Sequence, residues 1–149
     1  SEFIKSAINA QRDESMPLMK YIKKLDQTME FLEMDLKMSQ RYVNDGFSGG
    51  EKKRNEILQM MMIEPKFAIL DEIDSGLDID ALKIVSKGVN KMRGEDFGCL
   101  IITHYQRLLD YIEPDFVHVL MDGKIVKTSD ASLIDKIQKE GYSWVEQEV

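Results

Sequence analysis

Two short, continuous apolar runs set the strongest limit on what this chain can fold into. Phe67-Ala68-Ile69-Leu70 and Cys99-Leu100-Ile101-Ile102-Thr103 have the length and apolar content of strands buried in a parallel sheet. Between them lies a helix-length segment, Ile79 to Met92, entered through Ser75-Gly76-Leu77-Asp78 and stopped by Gly94. Strand, helix and strand in that order imply a parallel pair, because parallel neighbours need a long crossover. The fold class that follows is α/β. In such sheets chemistry collects beyond the carboxyl ends of the strands. The residues after Leu70 and Thr103 are therefore the first to inspect.

The flanking segments complete the order of elements. Phe3 to Gln11 reads as a short helix, and Pro17 suits the first turn of a second one. Leu18, Ile22, Leu25, Met29 and Leu32 then recur at steps of four and three, an apolar stripe that predicts packing against a neighbouring element. Asn44-Asp45-Gly46 is a turn signal. Ser48 has N-cap chemistry for a helix from Gly49 to Met62, and Pro65 marks its end. Tyr105 to Ile112 reads as a short helix before Pro114. Phe116 to Met121 and Lys124 to Lys127 flank Asp122-Gly123, a hairpin signal, and Ala131 to about Gln147 reads as a polar helix.

Charge and composition exclude several function classes. The net charge of −7 argues against sequence-independent nucleic-acid binding, which needs a basic surface; the basic cluster is confined to Lys52, Lys53 and Arg54. A lone cysteine, Cys99, has no internal disulfide partner, and with two histidines it cannot build a common Cys/His zinc site. A reducing, cytoplasmic setting is the expectation. No apolar run is long enough to span a bilayer, and Ser1 to Ala10 lacks the order of a signal peptide.

Four segments carry candidate chemistry. Asp71-Glu72 directly follows the first apolar run. Adjacent carboxylates there can hold a hard cation and polarise a water, or can simply be solvated acids ending a strand. His104 follows the second run, where an imidazole can reach a phosphate oxygen or be an incidental loop residue. Ser48-Gly49-Gly50-Glu51 opens a helix, whose free N–H groups and dipole attract anions; the bland alternative is a flexible cap. Ser75 to Asp78 reads by itself as a turn capped by Asp78.

Taken in order, these segments resemble the signature motif, Walker B, D-loop and H-loop of the ABC-type ATPases. Gly46-Phe47-Ser48-Gly49-Gly50-Glu51-Lys52-Lys53-Arg54-Asn55-Glu56-Ile57-Leu58-Gln59 and Asp71-Glu72-Ile73-Asp74-Ser75-Gly76-Leu77-Asp78 depart from the transporter forms. They look like the SufC-type ATPases of SUF iron–sulfur cluster assembly, and Thr103 to Arg107 and Pro114 to Val119 continue the likeness. The resemblance implies ATP and Mg²⁺ as cofactors. It casts Asp71 as the metal residue and Glu72 and His104 as catalytic. Ser48, Gly49, Gly50, Glu51, Ser75 and Asp78 would bind nucleotide across a dimer with a second ATPase subunit. It also implies SufB/SufD-like scaffold partners, without nucleic acid or membrane insertion. Residues 1–47 would form a helical subdomain and residues 48–149 the C-terminal part of the ATPase core. No Gly-x-x-x-x-Gly-Lys-Ser/Thr occurs, so the chain reads as the C-terminal portion of a longer protein, inactive alone. A non-catalytic binding module and a transporter ATPase are the alternatives.

Overall fold

The computed structural model describes residues 2–42 and 46–148, with the side chains of Gln106 and residues 146–148 left aside. The chain forms two compact units, residues 1–104 and 105–149. The first contains α1 (Glu2–Ala10), α2 (Leu18–Phe31), a 3₁₀ turn (Leu36–Gln40), α3 (Gly49–Ile63), β1 (Phe67–Asp71), α4 (Ile79–Met92) and β2 (Gly98–Ile102). The turn read at Asn44-Asp45-Gly46 lies outside the described residues except for Gly46, which has φ +67°.

β1 and β2 pair in parallel, from Phe67 opposite Gly98 to Asp71 opposite Ile102, with α4 as the crossover. The α/β expectation holds. The expectation that both strands are buried does not. Phe67 and Ile69 are 60% and 63% exposed, and Leu100 and Ile102 are exposed with them. Burial on both faces needs a layer on each side. Alternate residues (Ala68, Leu70) are half-covered, so one face of this two-stranded sheet is better covered than the other.

The helices hold the core. α1 and α2 pack on α3, and α3 packs on α4. Gly88 makes the last contact possible: a Cβ there would collide with Ile57 Cγ2 and crowd Leu32 Cδ2 at 3.2 Å. The stripe on α2 is centred differently from its sequence reading. Leu18 and Ile22 are 55% and 40% exposed, whereas Tyr21, Leu25, Thr28, Met29 and Leu32 are buried. Thr28 can sit inside because its hydroxyl donates back to the Lys24 carbonyl at 2.7 Å. The end of α3 is tied down from α2: Lys24 Nζ reaches the Met62 carbonyl at 3.3 Å and the Glu64 carboxylate at 2.8 Å.

The second unit holds a 3₁₀ turn (Gln106–Asp110), β3 (Val117–Met121), β4 (Lys124–Ser129), α5 (Ser132–Glu140) and α6 (Ser143–Glu148). β3 and β4 form the expected antiparallel hairpin, with a register shift at Val119/Leu120. Asp122 and Gly123 both adopt left-handed φ, +48° and +75°, as a tight hairpin turn requires. The tail read as one helix is broken at Gly141, φ +71°. Val119, Leu133, Ile137 and Val145 form this unit's core. Trp144 lies against it, with the Lys136 ammonium 3.5 Å from its ring centroid.

Candidate active site

Strand pairing places the two polar segments together. β1 ends at Asp71 and β2 at Ile102, directly opposite, so Asp71-Glu72 and Thr103-His104 leave the sheet from the same edge. Glu72 adopts φ +45°, a left-handed conformation that is unfavourable for a side-chain-bearing residue. The turn is held from both sides. The Glu72 N–H donates to the Ile102 carbonyl at 2.9 Å, and the Glu72 carbonyl accepts from Ser75 N–H at 3.1 Å. This reversal brings Glu72 Oε1 to 3.3 Å from His104 Nδ1, with both side chains more than half exposed.

The two carboxylates of the pair are solvated. Asp71 and Glu72 are both exposed, so neither bears a desolvation cost. It arises at Asp74, which sequence reasoning passed over. Asp74 is 6% exposed, its Oδ2 accepts from the Thr103 hydroxyl at 2.7 Å, and its Oδ1 is buried with no partner among the described residues. The one available sequence signal was an acid placed two residues after the Asp-Glu pair.

The segment before α3 is a capping box. Ser48 Oγ accepts from Glu51 N–H at 3.2 Å, and Glu51 Oε2 accepts from Ser48 N–H at 2.7 Å. These bonds, the Ser48 backbone N–H first, hold the Glu51 carboxyl below its ordinary value of 4.5. The Ser48 hydroxyl thus accepts from the helix, as its N-cap chemistry predicts. Glu51 acts here as a cap, and its charge is the wrong sign for phosphate. A Cβ at Gly49 would meet nothing within 4 Å, and one at Gly50 only ordinary contacts with Ala81 and Leu77. Neither glycine has a positive φ. Internal packing therefore does not demand glycine at either position, whereas close approach of an outside group would.

Asp78 caps α4 by accepting from Ala81 N–H at 2.7 Å, and Ser75, Gly76 (φ +72°) and Asp78 are exposed. Among the described residues no group of three or more His, Cys, Asp or Glu could hold a metal ion. Magnesium commonly keeps several waters and takes one or two carboxylates beside substrate phosphates. An exposed Asp71 at the strand end fits that limited share of a coordination shell. No helix of the described residues is long and apolar enough to cross a membrane.

Comparison with known proteins adds to this geometry. Residues 3–75 match the family model described as ABC transporter. The whole chain is 68% identical to vegetative protein 296 of Bacillus subtilis (strain 168) and spans 58% of that protein. It is 48% identical to the probable ATP-dependent transporter SufC of Escherichia coli (strain K12), over 96% of this chain and 59% of that one. The chain therefore spans about three-fifths of the curated relatives it matches. An ATP-binding cassette of an ABC transporter, solved in its ADP conformation, superposes with a TM-score of 0.63 at 23% identity. That match covers 93% of this chain and 53% of the cassette and speaks for the fold alone.

Proposed function

We propose that this chain belongs to the ABC-type ATPases and is the C-terminal part of the ATPase subunit of a cytoplasmic iron–sulfur cluster assembly complex. The observation that carries the catalytic reading is the convergence of Glu72 and His104, 3.3 Å apart, at the ends of two parallel strands. Glu72 orients the attacking water and takes its proton. His104 donates to the Glu72 carboxylate through Nδ1–H, and as an imidazolium it would also donate to the γ-phosphate through Nε2–H. Asp71 contributes one ligand to Mg²⁺, which when bound neutralises phosphate charge. Ser48, Gly49 and Gly50 receive the nucleotide of a second ATPase subunit, with Glu51 keeping their loop closed on α3. Ser75 to Asp78 line the interface. Residues 1–47 are the helical subdomain, and residues 48–149 belong to the ATPase core.

The assembly role is supported by the 48% identity to SufC and by Phe47 to Gln59 and Asp71 to Asp78, which differ from transporter forms. On this reading the partners are SufB/SufD-like scaffold subunits. The second reading, a membrane transporter's ATPase, has the name of the matching family model in its favour. Neighbouring coding sequence distinguishes them: scaffold subunits on the first reading, membrane-spanning subunits on the second.

The experiment tests the half-site. Tagged full-length subunit carrying Glu72→Gln, expected to trap ATP, is mixed with this chain in the presence of ATP, ADP or no nucleotide. Co-elution should be greatest with ATP, since only ATP offers a γ-phosphate to the α3 N-terminus. Ser48→Arg in this chain should remove the ATP-dependent part. Equal recovery in all three conditions would count against the half-site.

A further inference from the structure

Asp74 is the one carboxylate among the buried residues described. Burying an acid whose second oxygen has no donor is costly, and an apolar side chain would fill the space more cheaply. Its location gives a reason for the exception. Beyond the last sheet pair, Asp71 with Ile102, three contacts stitch the departing segments together. Glu72 N–H donates to the Ile102 carbonyl at 2.9 Å, Thr103 Oγ1 donates to Asp74 Oδ2 at 2.7 Å, and His104 Nδ1 faces Glu72 Oε1 at 3.3 Å. The middle contact is the shortest. Asp74 also adjoins the exposed turn at Ser75, and its carbonyl accepts from Leu77 N–H at 3.2 Å.

We infer that Asp74 is a positioning residue: by holding the Thr103 hydroxyl it sets the direction in which the chain leaves β2 and keeps His104 against Glu72. The Ser75–Asp78 turn and the Glu72–His104 pair are thereby mechanically joined. The functional importance of this joint rests on the proposed roles of Glu72 and His104. Its test reads the geometry of an imidazole and not turnover, so the two readings can fail separately.

The chain has two histidines, His104 and His118, and His118 Nδ1 is 2.8 Å from Thr128 Oγ1 in the hairpin, where it serves as an internal reference. Ring ¹⁵N–¹H correlation spectra are recorded at about pH 8.5, some two units above the ordinary imidazole value. Only a protonated Nδ1 can donate to a carboxylate, so His104 should be enriched in the Nδ1–H tautomer. Glu72→Ala gives the signature of the lost acceptor. Thr103→Val should move His104 toward that signature, Thr103→Ser should restore the parental spectrum, and His118 should not change. If Thr103→Val does not fold, Thr103→Cys, a weak donor of similar size, is read against the same expectation. A parental His104 tautomer in the variant lacking the hydroxyl, or a parent already matching Glu72→Ala, overturns the inference.

Discussion

Glu72 Oε1 and His104 Nδ1 lie 3.3 Å apart although they are 32 positions apart in sequence, because β1 and β2 end side by side. In the full-length parent, Glu72→Gln removes the carboxylate while keeping its shape. Hydrolysis should fall by ~10²-fold or more, the scale of a lost acid/base group. Nucleotide binding should persist. Steady-state phosphate release, with nucleotide binding measured in parallel, checks both; parental turnover in the variant would remove Glu72 from its role.

The 149-residue chain by itself should not turn over ATP. Its sequence has no Gly-x-x-x-x-Gly-Lys to cradle the β- and γ-phosphates. Phosphate release by the purified chain with Mg²⁺ and ATP should match the buffer blank, and clear Mg²⁺-dependent turnover contradicts this.

The capping box predicts acid sensitivity. Because folding lowers the Glu51 carboxyl below 4.5, its stabilising share is present above that pH and is lost as pH falls through the folded value. Glu51→Gln should flatten that part of a melting-temperature profile recorded between pH 6 and about 3. Ser48→Ala should cost about 1 kcal/mol near neutral pH, the usual effect of losing a serine cap. An unchanged profile in Glu51→Gln would show that the cap does not couple to stability.

Gly88→Ala should destabilise the chain. In an exposed helix this change gains about 1 kcal/mol of propensity. Here the new Cβ would collide with Ile57 and crowd Leu32, both fully buried, and overpacking of this kind costs about 1–3 kcal/mol. The melting temperature should drop, and the drop should be smaller in an Ile57→Ala background, which lacks the colliding Cγ2 methyl. A raised melting temperature in Gly88→Ala would show that α3 and α4 have room to separate.

Features written in a few consecutive residues were legible in the sequence. Asp122-Gly123 specified the hairpin because both positions take left-handed φ. Ser48 with Glu51, Asp78 with Ala81, and Pro65 after α3 placed helix ends because capping bonds span three residues and proline cannot continue a helix. Gly141, a residue type that commonly ends a helix, breaks the tail that the sequence pattern extends from Ala131 to about Gln147. The order of strand, helix and strand placed Asp71, Glu72 and His104 beyond one sheet edge, since parallel pairing follows from the crossover. Tertiary structure decided which surfaces those elements cover. Hydrophobicity cannot tell Leu18 and Ile22, exposed on α2, from Leu25 and Met29, buried on it, because the distinction depends on where α3 lies. It also cannot tell a strand covered on one face from one covered on two. The left-handed turn at Glu72 and the burial of Asp74 under Thr103 depend on partners about 30 residues away, brought close only when β1 and β2 align. Local hydrogen-bond chemistry is encoded in short stretches of chain, whereas burial and cross-strand contact exist only once distant segments have packed.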